Sequence, residues 1–429
     1  MSVTASLART IEPQLSANAL EVLRARYLRR NERGRIVEAP AEMFGRVASH
    51  VADIERRFGG DPTATADAFY EAMARLQFLP NSPALMNAGT RLGQLAACFV
   101  LPVDDSLDRI FASLRDAAII HQTGGGVGCD FSRLRPRGDR VASTGGESSG
   151  PVPFMTVFDA AADAVCQGGR RRGANMGVLD VHHPDVEEFI AAKREPGRLR
   201  HFTLSVAVDD GFMTAAAEAR PITLVNPRTG RAMGTRPADR LLDAIAASAW
   251  ETGDPGLIFV DRINRDNPTP DLGRITATNP CGEVPLLPYE ACVLGSINLA
   301  ALTASGVFDW DRFDQLTDLG IRFLDDCIDA SLFPLPQIAA AVHRSRKIGL
   351  GIMGFADALV DLGMAYDDDA AVGFARDLVA RMAVRATHAS RALATIRGPY
   401  PASRTVAMPG RAPRRFVMPR ASPSPQRAP

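Results

Sequence analysis

The stretch NPCGEVPLLPYEACVLGSINL, residues 279–299, carries the strongest signal in this amino-acid sequence. If Asn279 to Glu283 is extended, residues two apart point to the same side of the backbone. The amide of Asn279, the thiol of Cys281 and the carboxylate of Glu283 would then share one face. A thiol between a hydrogen-bonding amide and a potential general base is typical of a catalytic site. A single cysteine such as Cys281 is more often a small buried packing residue, but the combination favours catalysis.

This stretch resembles the active-site loop of ribonucleotide reductases, in particular the class II enzymes, which depend on adenosylcobalamin. The resemblance extends from about Leu15 to about Pro401. Five further motifs follow the family's order: LPNSPALMNAG at 79–89, AACFVLP at 96–102, GGGVG at 124–128, RRGANMG at 171–177 and KIGLGIMGF at 347–355. The resemblance implies an α/β fold. An N-terminal helical region would precede the first half, and a little more, of a ten-stranded α/β barrel of ribonucleotide reductase type, incomplete at the C-terminus.

The hydrophobic pattern predicts helices up to about residue 78 and then helices alternating with short strands. We expect a helix that Asp105-Ser106 caps, that carries apolar residues from Leu107 to Ala117 on one face and that ends in the glycine run at 124. Other helices are expected at 155–165, 185–194, 238–250, 310–332, 336–344 and 369–396. We expect strands at 96–101, 127–135, 176–181, 202–207, 257–260, 294–299 and 347–353. Strands that alternate with helices indicate a largely parallel α/β architecture.

The composition divides the chain into three parts. We predict an N-terminal helical region at 1–78, the incomplete barrel at 79–398 and a disordered tail at 399–429. The tail contains eight prolines, six arginines and no acidic residue, so it cannot bury a core. By the resemblance, the second half of the barrel, its phosphate-binding loop and a C-terminal cysteine pair would follow here. We therefore expect a truncated chain that is inactive alone.

Charge, hydropathy and cysteine spacing argue against a nucleic-acid-binding protein, a membrane protein and a metal-binding protein. Forty-nine Lys and Arg balance forty-nine Asp and Glu, so no basic field attracts nucleic acid. No segment reaches the roughly 18 uninterrupted apolar residues of a membrane span. The six cysteines include no Cys-x-x-Cys pair, which favours a reducing cytoplasm. Adjacent side chains such as His182 and His183 diverge on an extended segment, so we expect no metal site.

The resemblance assigns roles to three of the cysteines and their neighbours. Cys281 would form the thiyl radical that removes the 3′-hydrogen of the substrate. Glu283 would accept the 3′-hydroxyl proton, and Asn279 would hydrogen-bond the substrate. Cys98 and Cys292 would deliver two electrons and end each turnover as a disulfide. The remaining cysteines are expected to pack only, namely Cys129, Cys166 and Cys327.

The resemblance also implies three nucleotide contacts outside the loop. Ser82, Ala97 and Gly126 match substrate-binding positions, together with Asn279 and Glu283; Ala97 could contribute only its backbone. The glycines at 124–128 would let the backbone approach the substrate, although a helix C-cap explains them equally well.

A regulatory site is implied as well. Asp105, Ser106, Leu107 and Arg135 match the site at a dimer interface that binds a deoxynucleoside triphosphate effector. A second loop, which passes between effector and substrate, is matched by Arg171, Arg172 and Asn175. Arginines among glycines suit phosphate contacts, although a solvated loop is the plainer interpretation.

Together these matches predict reduction of ribonucleotides to 2′-deoxyribonucleotides, with adenosylcobalamin as cofactor. The expected partners are a ribonucleotide substrate, a deoxynucleoside triphosphate effector, a thioredoxin-type reductant and a second copy of the chain. Two alternatives stay open: the large subunit of a class I enzyme, whose radical comes from a separate metal-containing subunit, and an inactive fragment that at most dimerises or binds effector.

Overall fold

The computed structural model describes residues 11–142, 145–167 and 171–405. Its α-helices are α1 (Ala17–Arg26), α2 (Pro40–Ala52), α3 (Pro62–Ala74), α4 (Ser82–Asn87), α5 (Leu107–Gln122), α6 (Pro151–Ala164), α7 (Val186–Ile190), α8 (Asp210–Ala217), α9 (Ala238–Thr252), α10 (Val260–Arg265), α11 (Trp310–Ala330), α12 (Pro336–Ser345), α13 (Phe355–Asp361) and α14 (Asp369–Arg397). Short 3-10 helices occur at Asp53–Phe58, Pro270–Leu272, Leu299–Leu302 and Pro401–Thr405.

The strands are β1 (Phe78–Pro80), β2 (Cys98–Pro102), β3 (Gly126–Asp130), β4 (Cys166–Gln167), β5 (Arg171–Arg172), β6 (Asn175–Asp180), β7 (Phe202–Val208), β8 (Pro221–Val225), β9 (Ala232–Pro237), β10 (Gly256–Phe259), β11 (Ala277–Thr278), β12 (Pro285–Leu286), β13 (Ala291–Asn298), β14 (Thr303–Ala304), β15 (Val307–Phe308) and β16 (Ile348–Met353).

The N-terminal helices pack together because their apolar residues recur at helical spacing. Met43 of α2 and Phe69 of α3 are both buried in the main core. Asp61 caps α3, since its carboxylate accepts hydrogen bonds from two backbone N–H groups of the first turn. The prediction of a helical region from about residue 15 to about residue 78 is confirmed.

Eight of the strands form one sheet, in the order β1-β13-β2-β3-β6-β7-β10, with β16 also paired to β13. The neighbours from β2 to β10 are all parallel. Strand β13 runs antiparallel to β1 and β2 and parallel to β16. A helical part followed by a mostly parallel sheet with helices confirms the α/β class and the alternating pattern.

Two strands and two helices differ from the predicted boundaries by three residues or more. The helix predicted over 155–165 begins already at Pro151. The strand predicted over 127–135 ends at Asp130, whose carboxylate accepts a 2.9 Å bond from Ser132 N and turns the chain. The strand predicted over 294–299 begins at Ala291, because Ala291 still pairs with Phe99 of β2. The helix predicted over 185–194 covers only Val186–Ile190. The earlier start of β13 brings Cys292 into the sheet.

The two faces of the sheet bury different side chains, because successive residues of a strand point to opposite sides. The face against the helices carries Phe99, Leu101, Val127, Phe202 and Ile297. The opposite face carries Val100, Met176, Ala207 and Cys292, together with Ala277 and Val284 of the β11–β12 hairpin. Cys98 precedes Val100 by two residues and therefore lies on this second face. Cys129 and Cys327 belong to the main core, as expected for packing residues.

The beginning of the predicted disordered tail is folded. Tyr400 is buried, and a 3-10 helix follows it at Pro401–Thr405. Residues 399–405 thus differ from the predicted disorder, because the ring of Tyr400 is buried although prolines flank it on both sides. Residues 406–429 lie outside the described residues, and the boundaries 1–78, 79–398 and 399–429 stay predictions. Among the described residues, no helix is long and apolar enough to cross a membrane.

Candidate active site

The segment from Asn279 to Glu283 forms a turn, not the extended run expected from the sequence. Gly282 N donates a 3.0 Å hydrogen bond to Asn279 O. Pro280 sits second in this turn, where its fixed φ is favourable. Gly282 has a φ of +84°, which favours glycine. This turn, residues 279–283, is named the catalytic turn after the role predicted for it; it joins β11 to β12 and leaves Cys281 exposed at its tip.

Asn279 is fully buried at the base of the turn and directs it towards Cys98. Asn279 Oδ1 accepts a 2.9 Å bond from Val284 N, while Asn279 Nδ2 lies 3.0 Å from Cys98 Sγ. Glu283 Oε1 lies 3.8 Å from the same sulfur. The amide and the carboxylate of the catalytic turn therefore converge on the thiol of Cys98.

Cys98 and Cys292 are partners in the ladder between β2 and β13. Cα atoms of directly paired antiparallel residues are about 4.5–5.5 Å apart, and a disulfide needs less than about 7 Å. Both residues are thiols in this structure. The antiparallel pairing therefore brings together two cysteines 194 positions apart along the chain, within reach of a disulfide.

Burial keeps both of these sulfurs protonated. It raises the pKa of Cys98 well above the usual thiol range, and the nearby carboxylate of Glu283 raises it further. The same two causes raise the pKa of the Cys292 thiol. Near neutral pH both groups are thus proton-bearing thiols, able to release hydrogen rather than to act as thiolates.

The glycines of β3 provide the surface on which the catalytic turn rests. A Cβ added at Gly128 would lie 1.6 Å from Thr278 O, and one at Gly126 would lie 2.7 Å from Pro280 Cγ. Gly124, directly after α5, has a φ of +89° and fits the C-cap interpretation. The motif GGGVG therefore ends α5 and then provides a strand surface without side chains, against which the β11–β12 hairpin packs.

Two polar contacts at this site were not predicted. Thr203 Oγ1 donates a 2.6 Å bond to Pro280 O and so fixes the catalytic turn from β7. Lys347 and Glu290, whose side chains are each only 2% exposed, form an ion pair between the residues that precede β16 and β13. The sequence carried a signal for each contact. Thr203 is a hydroxyl residue on the side of the run FTLSVAV opposite Phe202 and Leu204, and Lys347 is a lysine that opens the apolar motif KIGLGIMGF.

The predicted substrate positions surround the thiol pair on neighbouring elements. Asn81 N donates to Leu294 O of β13, so Ser82 lies towards the Cys292 end of that strand. Ser82 Oγ is 2.8 Å from the hydroxyl of Tyr27. The backbone of Ala97 already serves the sheet, since its N–H bonds Cys292 O and its carbonyl accepts from Gly126 N. Ala97 thus has no spare backbone donor for a substrate.

The predicted effector residues also lie together. Ser106 caps α5 by accepting a bond from Arg109 N, and Leu107 opens that helix with an exposed side chain. Arg135 Nε lies 2.9 Å from Asp105 Oδ2, and Arg135 N bonds the same carboxylate. The N-terminus of α5 is thereby tied to the segment that follows β3.

Of the predicted specificity residues, Asn175 is buried at the start of β6. The backbone of Arg171 and Arg172 forms β5, paired with β4, and their side chains lie outside what the structure describes.

His182 contacts Asp209, whereas His183 contacts Leu134 O, so the two rings diverge. In the described parts of the chain, no three His, Cys, Asp or Glu side chains group as metal ligands would.

Comparison with known proteins connects these motifs to a family. The family described as "Ribonucleotide reductase, barrel domain" matches residues 96–410, and the "Ribonucleotide reductase, all-alpha domain" matches residues 13–93. A vitamin B12-dependent ribonucleoside-diphosphate reductase from Mycobacterium tuberculosis is 53% identical over 393 residues, or 91% of this chain and 57% of that protein.

More distant relatives match the same part of the chain. A protein of the same name from Thermoplasma acidophilum is 44% identical over 447 residues, covering 91% of this chain and 58% of its own length. A ribonucleoside-diphosphate reductase subunit alpha from Chlamydia trachomatis is 31% identical over 422 residues, or 90% of this chain and 40% of that protein. The chain spans little more than half of the first two relatives. It belongs to the ribonucleotide reductase family.

Proposed function

We propose that this chain carries the thiol site of an adenosylcobalamin-dependent ribonucleotide reductase acting on ribonucleoside diphosphates. One observation carries the proposal: Cys98 and Cys292 are ladder partners, and Asn279 and Glu283 converge on Cys98 at 3.0 and 3.8 Å. The names of the relatives at 53% and 44% identity favour this class and a diphosphate substrate. An identity of 31% to the relative named as an alpha subunit does not separate the classes, since a vitamin B12-dependent relative from Streptomyces coelicolor is also 31% identical. The identities of 53% and 44% are what favour this class over class I.

The residues of the site divide the reaction among them. Cys281, as a thiyl radical, removes the 3′-hydrogen atom of the ribose, and Glu283 accepts the 3′-hydroxyl proton. Asn279 hydrogen-bonds the substrate. The thiol of Cys98 protonates the departing 2′-hydroxyl, which leaves as water. Cys98 and Cys292 together supply two electrons and two protons and become a disulfide. Glu283 gives the proton back to the 3′-oxygen, and Cys281 returns the 3′-hydrogen. Atoms balance as one ribonucleotide and two thiols giving one deoxyribonucleotide, one water and one disulfide.

The environment of Cys98 keeps its thiol protonated before the reaction. Because burial and Glu283 raise its pKa, Cys98 still holds its proton at neutral pH. The carboxylate 3.8 Å away can accept a proton from, or return one to, this sulfur and the substrate in turn. Because the two groups are this close, Glu283 as the base at the 3′-hydroxyl and Cys98 as the acid at the 2′-hydroxyl can exchange protons.

The proposal includes a cofactor and further partners. When bound, adenosylcobalamin supplies the initiating radical by homolysis of its cobalt–carbon bond. Cys281 fits that source because it is exposed at the tip of the catalytic turn, next to the open space beside Gly282. A thioredoxin-type protein in the cytoplasm would reduce the disulfide. A deoxynucleoside triphosphate would bind at Asp105, Ser106, Leu107 and Arg135, where two copies of the chain would meet.

The proposal is tested by measuring how fast the native protein converts a ribonucleoside diphosphate to a deoxynucleotide. The protein is supplied with a ribonucleoside diphosphate, a deoxynucleoside triphosphate and dithiothreitol, with and without adenosylcobalamin, and deoxynucleotide is measured by chromatography. We expect turnover only with adenosylcobalamin. Cys281→Ala should lower it at least about 100-fold, whereas the matched variant Cys129→Ala, on the helix-facing side of the sheet, should stay active. Equal turnover by Cys281→Ala would refute the proposal, and turnover that needs a separate metal-containing subunit instead would favour class I.

A further inference from the structure

His121 lies where the predicted specificity segment, residues 171–175, meets the glycines of the substrate site. Its ring is buried at the last turn of α5. Nδ1 lies 3.1 Å from Gly125 O, and Nε2 lies 3.1 Å from Asn175 Oδ1. A Cβ added at Gly173 would lie 2.9 Å from the ring, so a glycine is needed there for the imidazole to fit. One side chain thus contacts both segments.

The chemistry of the ring fixes its hydrogen bonds. A neutral imidazole has one donor and one acceptor nitrogen, yet both nitrogens here face oxygen atoms. Burial lowers the pKa of His121, so the ring is neutral. The contacts are therefore satisfied when Nδ1–H donates to Gly125 O and the amide of Asn175 is turned to donate its N–H to Nε2. With that orientation, the side-chain amide oxygen of Asn175 takes the buried position of Nδ2, which has no hydrogen-bond partner among the described residues.

The same junction continues into the catalytic turn. Thr203 Oγ1 donates its one proton to Pro280 O at 2.6 Å and lies 3.3 Å from Asn175 O, so this hydroxyl contacts both backbone oxygens. On the other side of His121, Gly125 precedes Gly126, on which Pro280 rests. Movement of Asn175 therefore reaches Pro280 by two short routes, one through His121 and one through Thr203.

We propose that His121 is a positioning residue that couples the specificity segment to the substrate site. When bound effector rearranges residues 171–175, Asn175 moves and His121 carries that displacement to the glycines beneath the catalytic turn. The side-chain amide oxygen of Asn175 is buried without a partner in the part of the chain that the structure describes, which favours a second arrangement of residues 171–175. In that arrangement a donor from the segment would form a hydrogen bond with this oxygen. The role rests on the proposed function, and His121 itself need not touch either nucleotide.

The first test reads the ring itself and needs no nucleotide. The chain is labelled with 15N-histidine, and the His121 signals are assigned by their loss in His121→Asn. We expect nitrogen chemical shifts of a neutral ring protonated at Nδ1 throughout pH 6 to 8. A ring protonated at Nε2, or a charged ring in this range, would overturn the hydrogen-bond assignment and the proposal with it.

The second test measures coupling in the native protein by equilibrium binding, without turnover. The dissociation constant of a ribonucleoside diphosphate is determined with and without a deoxynucleoside triphosphate. Allosteric effects of this kind are typically about 5- to 150-fold. His121→Asn keeps a donor near Gly125 but cannot reach Asn175, so we expect the effect to fall below about threefold. His121→Gln, whose amide reaches further towards Asn175, should keep more of the effect.

The outcomes separate the two claims. Coupling in His121→Asn within about twofold of the wild-type value contradicts the role of His121 alone. An equal loss of effector affinity and of coupling in both variants also contradicts it, because this indicates a general structural defect. Wild-type protein that binds neither nucleotide contradicts the proposed function and, with it, this inference.

Discussion

At the scale of single residues, Asn279 decides where the catalytic turn points. Its oxygen holds Val284 N and its nitrogen faces the sulfur of Cys98, both inside the protein. A buried donor or acceptor that loses its partner costs about 1–3 kcal/mol. Asn279 is thus as much a structural residue as a candidate for substrate binding.

Replacement of Asn279 should therefore affect folding before it affects chemistry. We expect Asn279→Ala to lower the free energy of unfolding by about 1–3 kcal/mol, because Val284 N is left unpaired. The matched variant Asn279→Asp keeps that acceptor but places a carboxylate beside Cys98 and Glu283. Urea unfolding monitored by circular dichroism measures both. An Asn279→Ala protein as stable as wild type would show that the bond to Val284 is not formed.

At the scale of elements, the β11–β12 hairpin lies directly on β3. The close approach is possible because Gly126 and Gly128 present no side chain to Thr278 and Pro280. Overpacking a tight contact costs about 1–3 kcal/mol, occasionally more. Since the obstacle at Gly128 is a backbone oxygen rather than a flexible side chain, the hairpin itself would have to move.

Gly128→Ala tests the packing of the β11–β12 hairpin against β3. We expect a loss of stability of about 1–3 kcal/mol or more, and faster alkylation of Cys98 by iodoacetamide as the hairpin lifts away. Gly373→Ala is the control, because a Cβ there meets open space in α14; it should be neutral or stabilise by about 0.5–1 kcal/mol. Peptide mass spectrometry follows the alkylation. Unchanged protection of Cys98 in Gly128→Ala would contradict the packing described for the hairpin.

At the scale of the whole molecule, one buried charge cluster ties distant parts of the chain together. Arg397 at the end of α14 contacts Glu55 of the first 3-10 helix at 2.6 Å and Asp325 and Asp326 of α11 at 2.7 and 2.6 Å. Burial raises the pKa of Asp326 to about 8, although Arg397 opposes the shift. Ionisation of Asp326 therefore costs the folded state more than the unfolded chain.

The stability of the protein should consequently fall as pH rises through this range. The folded pKa of Asp326 exceeds its ordinary value, so its contribution is complete below about pH 4 and is lost towards about pH 8. Asp326→Asn removes this titration. Between pH 5 and 7 the wild-type free energy of unfolding should decrease relative to that of the variant by up to about 1.4 kcal/mol per pH unit. Parallel pH profiles from urea unfolding would contradict the raised pKa.

The sequence was sufficient for the class of fold and for most elements, because apolar periodicity and Gly/Pro breaks are local signals. It was not sufficient for the shape of residues 279–283. An extended run and a turn differ there in the backbone dihedral angles of a few residues from Pro280 to Gly282, which composition alone does not determine. Thr203, His121 and the Lys347–Glu290 pair escaped prediction because their partners lie far away along the chain. The pairing of Cys98 with Cys292 came from the resemblance, since no local pattern joins two strands 194 positions apart.

The most direct test of the central claim is a single turnover without external reductant. The reduced native protein receives adenosylcobalamin, effector and excess ribonucleoside diphosphate, and both deoxynucleotide and disulfides are quantified by mass spectrometry. We expect about one deoxynucleotide per chain, matched by one disulfide between Cys98 and Cys292, with Cys281 still a thiol. Deoxynucleotide formed while Cys98 and Cys292 stay reduced, or a disulfide that includes Cys281 instead, would contradict the central claim.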